Sequence, residues 1–118
     1  MNRIERRLIR HQRIRKKVSG TSLCPRLSIY KSLKYIYAQV IDDEKGITLT
    51  HASTNESSIK VNSKSYKNKD AAKKLGEILS ERINEKNIRA IVLDRGGFRY
   101  HGVIKELADT LRNGGIEF

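Results

Sequence analysis

More than half of the excess positive charge of this 118-residue chain is packed into its first seventeen residues. Arg3, Arg6, Arg7, Arg10, Arg13, Arg15, Lys16 and Lys17 stand there against Glu5 alone, a net +7 out of a total of +12. The apolar positions among them, Ile4, Leu8, Ile9, Ile14 and Val18, do not keep to one face at a period of 3.6 residues. Such a segment repels itself when free and gains little from packing on its own domain. It is expected to fray alone and to become helical where phosphates neutralise it. Eight cations at this spacing point to nucleic acid ahead of a merely solvated tail. A basic helix lying on anionic lipid would need an aromatic or leucine face, which this one lacks.

The remaining residues are close to ordinary in charge, with 17 basic and 12 acidic side chains, and the length suits one domain. The organisation expected is a basic nucleic-acid-binding arm over residues 1–20 and then a single α/β domain over residues 21–118. The apolar fraction is about 40% with Gly counted and Tyr left out, under the usual value of roughly 45–50%, which fits an arm without its own core. A lone cysteine, Cys24, forms no internal disulfide and leaves no Cys-rich zinc site. No run approaches the roughly 18 apolar residues of a membrane span, and the basic N-terminus has no apolar stretch behind it to make a secretory signal. The Arg-rich first turns resemble a mitochondrial presequence, but they lack its amphipathic helix.

Ser19-Gly20-Thr21-Ser22 reads as a polar hinge, and Pro25 marks the entry to an extended segment. Leu27-Ser28-Ile29-Tyr30 and Tyr35-Ile36-Tyr37-Ala38-Gln39-Val40-Ile41 alternate with period two, as strands joined by a turn at Lys31-Ser32-Leu33-Lys34. A turn ending at Gly46 leads to a third strand, Ile47 to Ala52, completing an antiparallel meander. Residues 53–67 resemble a long surface connection, anchored by Ile59 and Val61. Asn68 can cap a helix whose apolar stripe is Ala72, Leu75, Leu79 and Ile83, and Asn87 can close it in the left-handed conformation. Arg89 to Asp94 holds an apolar run without alternation, expected as a strand covered on both faces. A last helix carries Val103, Ile104, Leu107, Ala108 and Leu111 and stops at Gly114-Gly115. The order is basic arm, then β-β-β-α-β-α, an α/β fold with a mixed four-stranded sheet packed with two helices.

Two surfaces of this fold invite a ligand. On the first hairpin, Ser28, Tyr30, Tyr35, Tyr37 and Gln39 share the face turned away from the core, next to Lys31 and Lys34. This face either stacks on bases and holds phosphates or simply covers the sheet edge. The loop Asp94-Arg95-Gly96-Gly97-Phe98-Arg99-Tyr100-His101-Gly102 leaves the carboxyl end of a strand and feeds a helix N-terminus. Gly96 and Gly97 allow close backbone approach by a phosphate, with Arg95, Arg99, Tyr100 and His101 around them. The alternative is a tight turn with Phe98 plugging the core, and no Gly-Lys-Ser/Thr makes it a P-loop. Catalytic readings are weak. His11, His51 and His101 have no metal-ligand spacing, and Asp42, Asp43 and Glu44 resemble a solvated hairpin turn rather than a nuclease metal site.

The chain resembles the bacterial large-subunit ribosomal protein eighteen family, 5S rRNA-binding proteins of the central protuberance. The resemblance rests on residues 10–17 with Gly20-Thr21 after them, on Pro25-Arg26-Leu27-Ser28, and on Ile36 to Ile41. It continues through Ala52-Ser53-Thr54, Asn68-Lys69-Asp70-Ala71-Ala72, Asp94-Arg95-Gly96-Gly97-Phe98 with Tyr100-His101-Gly102, Leu107-Ala108-Asp109, and Gly115 to Phe118. It implies no catalysis, no cofactor and no metal. The implied partners are 5S rRNA, 23S rRNA and neighbouring proteins such as large-subunit protein five, in the cytoplasmic ribosome. The implied RNA contacts fall on the arm, the first hairpin and the glycine loop, which adds His11, Arg26, Ser32 and Gly102 to the arm, hairpin and loop residues already named. Three departures are Cys24 before Pro25, Leu33 with Tyr35 in the hairpin turn, and Val103 after Gly102. Cys24, Leu33 and Val103 are therefore not expected to touch RNA, whereas Tyr35 can still stack. A general RNA-binding accessory factor is the alternative within binding roles, and a nuclease on a related scaffold is the alternative among enzymes.

Overall fold

Alternation along the first hairpin decides which way every other element packs. Strand β1 (Arg26–Lys31) runs antiparallel to β2 (Ile36–Asp42), with Leu27 opposite Val40 and Ile29 opposite Ala38. These four side chains and Ile36 are buried on one face of the sheet. Strand β3 (Ile47–Ser53) continues the meander antiparallel to β2, with a register irregularity between Val40 and Ile41. The computed structural model describes residues 2–17, 20, 21, 23–56, 69–98 and 102–118, with backbone alone for residues 14–17. The anchors Ile59 and Val61, the cap Asn68 and the loop residues Arg99, Tyr100 and His101 lie outside the described residues.

Helix α1 (Arg3–Lys17) precedes the sheet, α2 (Lys69–Glu85) comes after β3, and α3 (Val103–Asn113) ends the chain. The expected stripe of α2 is buried, with Ala72, Leu75, Leu79 and Ile83 joining Ile104, Leu107 and Leu111 of α3 in a single core with the hairpin. Asn87 adopts a positive φ of 60° just past α2, as its type and position predict. Strand β4 (Val92–Asp94) lies parallel to β1 and gives the sheet order β3-β2-β1-β4. The fold is thus α/β with a mixed four-stranded sheet, in agreement with the pattern of the sequence.

The last strand departs from expectation. It is three residues long and sits at the sheet edge, with Val92 and Leu93 only half-buried. An edge position explains why the apolar run there is not covered on both faces. Its upstream part is held instead by the C-terminal tail, where Ile91 N donates to Glu117 O at 3.0 Å and Glu117 N to Arg89 O at 2.9 Å. Val92 N donates to Pro25 O at 2.9 Å, which fixes β4 to the start of β1.

The two C-terminal helices cross where α2 has no side chain. A Cβ at Gly76 would lie 2.8 Å from both Cβ and Cγ2 of Thr110 on α3. Thr110 is β-branched and cannot swing its Cβ away. Gly76→Ala is therefore expected to cost about 1–3 kcal/mol in overpacking, offset by about 1 kcal/mol of helix propensity. The net loss should show as a lower urea midpoint at unchanged m-value; an unchanged or higher midpoint would mean that the helices part freely.

Candidate nucleic-acid interface

Helix α1 starts on a reciprocal cap. Glu5 N donates to Asn2 Oδ1 at 2.8 Å, while Asn2 N donates to Glu5 Oε2 at 3.3 Å. This is a capping box, and its Asn-x-x-Glu spacing is present in the sequence. The arm, expected to become helical where phosphates neutralise it, is fifteen residues of helix whose side chains meet acceptors on the glycine loop.

Three side chains on one side of α1 make the contact. Arg7 Nη1 donates to Gly96 O and Arg10 Nε to Gly97 O, each at 2.8 Å. His11 Nε2 lies 3.2 Å from Asp94 Oδ2. The Arg7 guanidinium also sits 4.9 Å from the Phe98 ring centroid and 5.5 Å from that of Tyr30, within cation–π range. Gly97 has φ +80°, and a Cβ there would collide with the backbone oxygen of Arg7. The loop glycines, expected to admit a phosphate, here admit the protein's own helix at close range.

Asp94 is the node of this contact, a role that its place in the sequence does not single out. Its parallel register opposite Ser28 puts it on the tyrosine face of the sheet, where it is fully buried, at 0% exposure, with His11 of α1 against it. Besides His11, Oδ2 accepts from Arg26 Nη1 at 2.6 Å and Oδ1 from Gly96 N at 3.0 Å. Arg26 turns its other nitrogens to Asp43, Nε to Oδ2 at 3.0 Å and Nη2 to Oδ1 at 3.1 Å. Asp43 Oδ2 also accepts from Gly20 N at 2.7 Å, which ties the end of the arm to the β2–β3 turn. Burial opposes the charge on Arg26, but hydrogen bonds to Asp43 and Asp94 and their charges outweigh it, so its pKa is raised above the ordinary value.

Several of the residues expected on RNA also have contacts within the fold. Arg26, expected on RNA, has its side chain 10% exposed and its guanidinium held between two carboxylates. Ser32 braces the hairpin turn, accepting from Tyr35 N at 3.0 Å and donating from Oγ to Tyr35 O at 3.1 Å. Gly102 stands at the start of α3, where its carbonyl accepts from Glu106 N at 2.9 Å. The acids of the β2–β3 turn are structural too: Asp42 is buried, and its Oδ1 accepts from Glu44 N at 3.0 Å and Lys45 N at 3.3 Å. Among the described residues no three His, Cys, Asp or Glu side chains could share a metal ion.

What is left facing outward is a composite surface. Arg3, Arg6, Arg10 and Arg13 are exposed, and their spacing of i, i+3, i+7 and i+10 puts them along one side of α1. Beside them run Phe98, Tyr30, Tyr37 and Tyr35, with successive ring centroids 6.1, 6.4 and 6.5 Å apart. Tyr30 is half-exposed, Gln39 and Lys34 are exposed, and Arg95 and Lys31 are half-buried, with the Lys31 ammonium 5.6 Å from the Phe98 centroid. The side chains of Arg15, Lys16 and Lys17, like Arg99, Tyr100 and His101, lie outside the described residues.

The arginine at the centre should be the least replaceable residue of the frame. Arg26→Ala strands the buried Asp94 carboxylate and is expected to cost about 3–5 kcal/mol. Arg26→Lys, a single ammonium that cannot span both carboxylates, should fall between. Urea unfolding checks this, and a loss under about 1 kcal/mol for Arg26→Ala would show that the network is peripheral.

Comparison with known proteins agrees with this architecture over the whole chain. A family model described as ribosomal L18 of archaea, bacteria, mitochondria and chloroplast matches residues 1–118. The large ribosomal subunit protein uL18 of Caldicellulosiruptor saccharolyticus is 58% identical over 118 residues, covering 100% of this chain and 95% of that protein. The uL18 of Dictyoglomus thermophilum is 57% identical over 117 residues, 99% of this chain and 96% of that protein. The uL18 of Pseudothermotoga lettingae is 50% identical over 113 residues, 96% of this chain and 93% of that protein. With a full-length family match and relatives of this similarity, the chain belongs to the ribosomal L18 family.

Proposed function

We propose that this protein binds 5S rRNA and helps attach it to 23S rRNA in the central protuberance, beside large-subunit protein five. Family membership already makes the protein a structural constituent of the large ribosomal subunit, not an enzyme, acting in the cytoplasmic ribosome. In this reading residues 1–20 are the RNA-binding arm and residues 21–118 the α/β domain that carries it.

The observation that carries the RNA assignment is the exposed row Arg3, Arg6, Arg10 and Arg13 on a helix fixed beside the tyrosine face. Arginines three or four residues apart on a helix are about 4.5–6 Å apart along its axis, a spacing that suits successive phosphates. Their guanidiniums neutralise backbone charge without reading sequence. Tyr30, Tyr37 and Tyr35 supply planar surface for bases or sugars, and Arg95 stands at the junction. The row gives affinity, and the sheet and loop give register on a folded RNA shape.

Binding to 5S rRNA and to tRNA across a salt titration tests the assignment. Preference for 5S rRNA at salt where tRNA binding has collapsed supports it; equal binding with identical slopes would leave only a general RNA binder. Arg3→Ala, Arg6→Ala and Arg13→Ala should each weaken binding to both RNAs and reduce the slope of log K against log salt by about 1. Tyr37→Ala and Arg95→Ala should instead narrow the difference between the two RNAs. Equal losses on both RNAs from the latter pair would overturn the division of labour.

A further inference from the structure

We infer that the RNA face extends past the tyrosines onto strand β3, where His51, beside Gln39, meets RNA by uncharged hydrogen bonds to ribose hydroxyls and base edges. The inference rests on the proposed RNA-binding function and adds to it a contact residue and its chemistry. Neither the charge count nor the motifs of the sequence single out His51 for such a role.

Register puts His51 there. Ala52 is buried opposite the buried Ala38, so its neighbours His51 and Ser53 point to the other side of the sheet. Two rows of side chains cross that side. Tyr30, Tyr37 and Ser53 form one, and Asp94, Ser28, Gln39 and His51 form the next. The hydrogen bonds of α1 to the domain lie at the Asp94 end of the second row, on Asp94 and the glycine loop. At the other end Gln39 and His51 are exposed. Their access to RNA therefore does not depend on where the arm lies.

The backbone under His51 is fixed from outside the sheet. Strand β3 is an edge strand, and its outward groups are bonded here: Arg82 Nη1 of α2 donates to His51 O at 2.8 Å, and Ser53 N donates to Glu56 Oε2 at 3.0 Å. Arg82 Nη1 also reaches Glu56 Oε1 at 2.9 Å, so its charge is matched within the pair. These bonds close the edge to a further strand at this point and leave the imidazole as the group that His51 offers. His51 is the diagonal neighbour of Tyr37 on the same face, about 7–8 Å away. A base stacked on Tyr37 lays its sugar or its edge over Gln39 and His51. A glutamine amide and an uncharged imidazole each donate and accept, which matches the ribose 2′-hydroxyl, itself a donor and an acceptor. Phosphates fall to the arginine row, and this end of the face adds affinity without adding salt dependence.

The test uses the full chain. His51→Ala should bind 5S rRNA about three- to tenfold more weakly. The slope of log K against log salt should not change, nor should the urea midpoint, because an exposed side chain adds little to stability. His51→Gln, which restores a donor and an acceptor, should recover most of the loss. In the wild type the His51 ring resonances, identified by their absence from His51→Ala, should shift as 5S rRNA is added. Unchanged affinity in His51→Ala, or ring resonances that stay in place, would overturn the inference. So would a loss that His51→Gln does not recover, or a salt slope reduced by about 1, the mark of a charged ring on a phosphate. If the urea midpoint of His51→Ala falls, the ring resonances and His51→Gln decide by the same criteria. A wild type that fails to prefer 5S rRNA over tRNA overturns the functional reading instead, and His51 is then judged on tRNA.

Discussion

The Asp94 carboxylate is the constraint on which the placement of the arm depends. A carboxylate with no solvent exposure is costly unless it is neutralised and hydrogen-bonded. Here the neutralising charge comes from Arg26 on β1, and His11 of α1, far away in sequence, makes a polar contact with the same oxygen. Satisfying one buried charge therefore forces two elements to a common point. Replacing such a network with well-packed apolar residues often leaves stability unchanged or improves it. Its value lies in geometry: Arg26, spread between Asp94 and Asp43, fixes the carboxylate that His11 of α1 meets, whereas an apolar patch would let α1 slide or rotate.

The loop that carries Asp94 shows how local backbone choices serve this placement. Gly97 sits at a φ that side-chain-bearing residues rarely adopt, and any side chain there would meet the α1 backbone. Phe98 then packs on the rim of the core and offers its ring to Arg7 and Lys31. Two cations near one ring are tolerable because its quadrupole attracts both, while the Arg7 guanidinium also reaches Gly96 O. Packing, hydrogen bonding and cation–π attraction thus act at one junction, each through a different residue of a five-residue string.

Much of this was legible in the sequence because it depends on periodicity. The meander, the stripe of α2, the left-handed Asn87 and the Gly114-Gly115 stop all arise from spacing and residue type, and the structure has them. The edge position of β4 was not legible, because a short apolar run looks the same whether it is central or lateral; its pairing with β1 at the end of the order β3-β2-β1-β4 decides it. The role of Asp94 was hidden for a related reason. An acid after an apolar run resembles any strand-ending carboxylate, and its burial depends on a helix more than eighty residues away. In the arm, charge repulsion is only one of two local signals, and the Asn2-x-x-Glu5 cap that starts the helix opposes it.

The contacts of the arm's arginines bear on how charge counts are converted into binding. Counted from the sequence, the arm holds eight cations that could each neutralise a phosphate. Arg7 and Arg10 donate to carbonyls of the glycine loop, and Arg26 beyond the arm is held between carboxylates. A guanidinium with five donors can serve a carbonyl and a phosphate together, as Arg10 is exposed enough to do; one enclosed by two carboxylates adds little outside field. The count read from the sequence is therefore an upper bound on phosphate contacts. The basic residues of such a protein divide into those that set the surface and those that form it, and only the second group enters the salt dependence of binding.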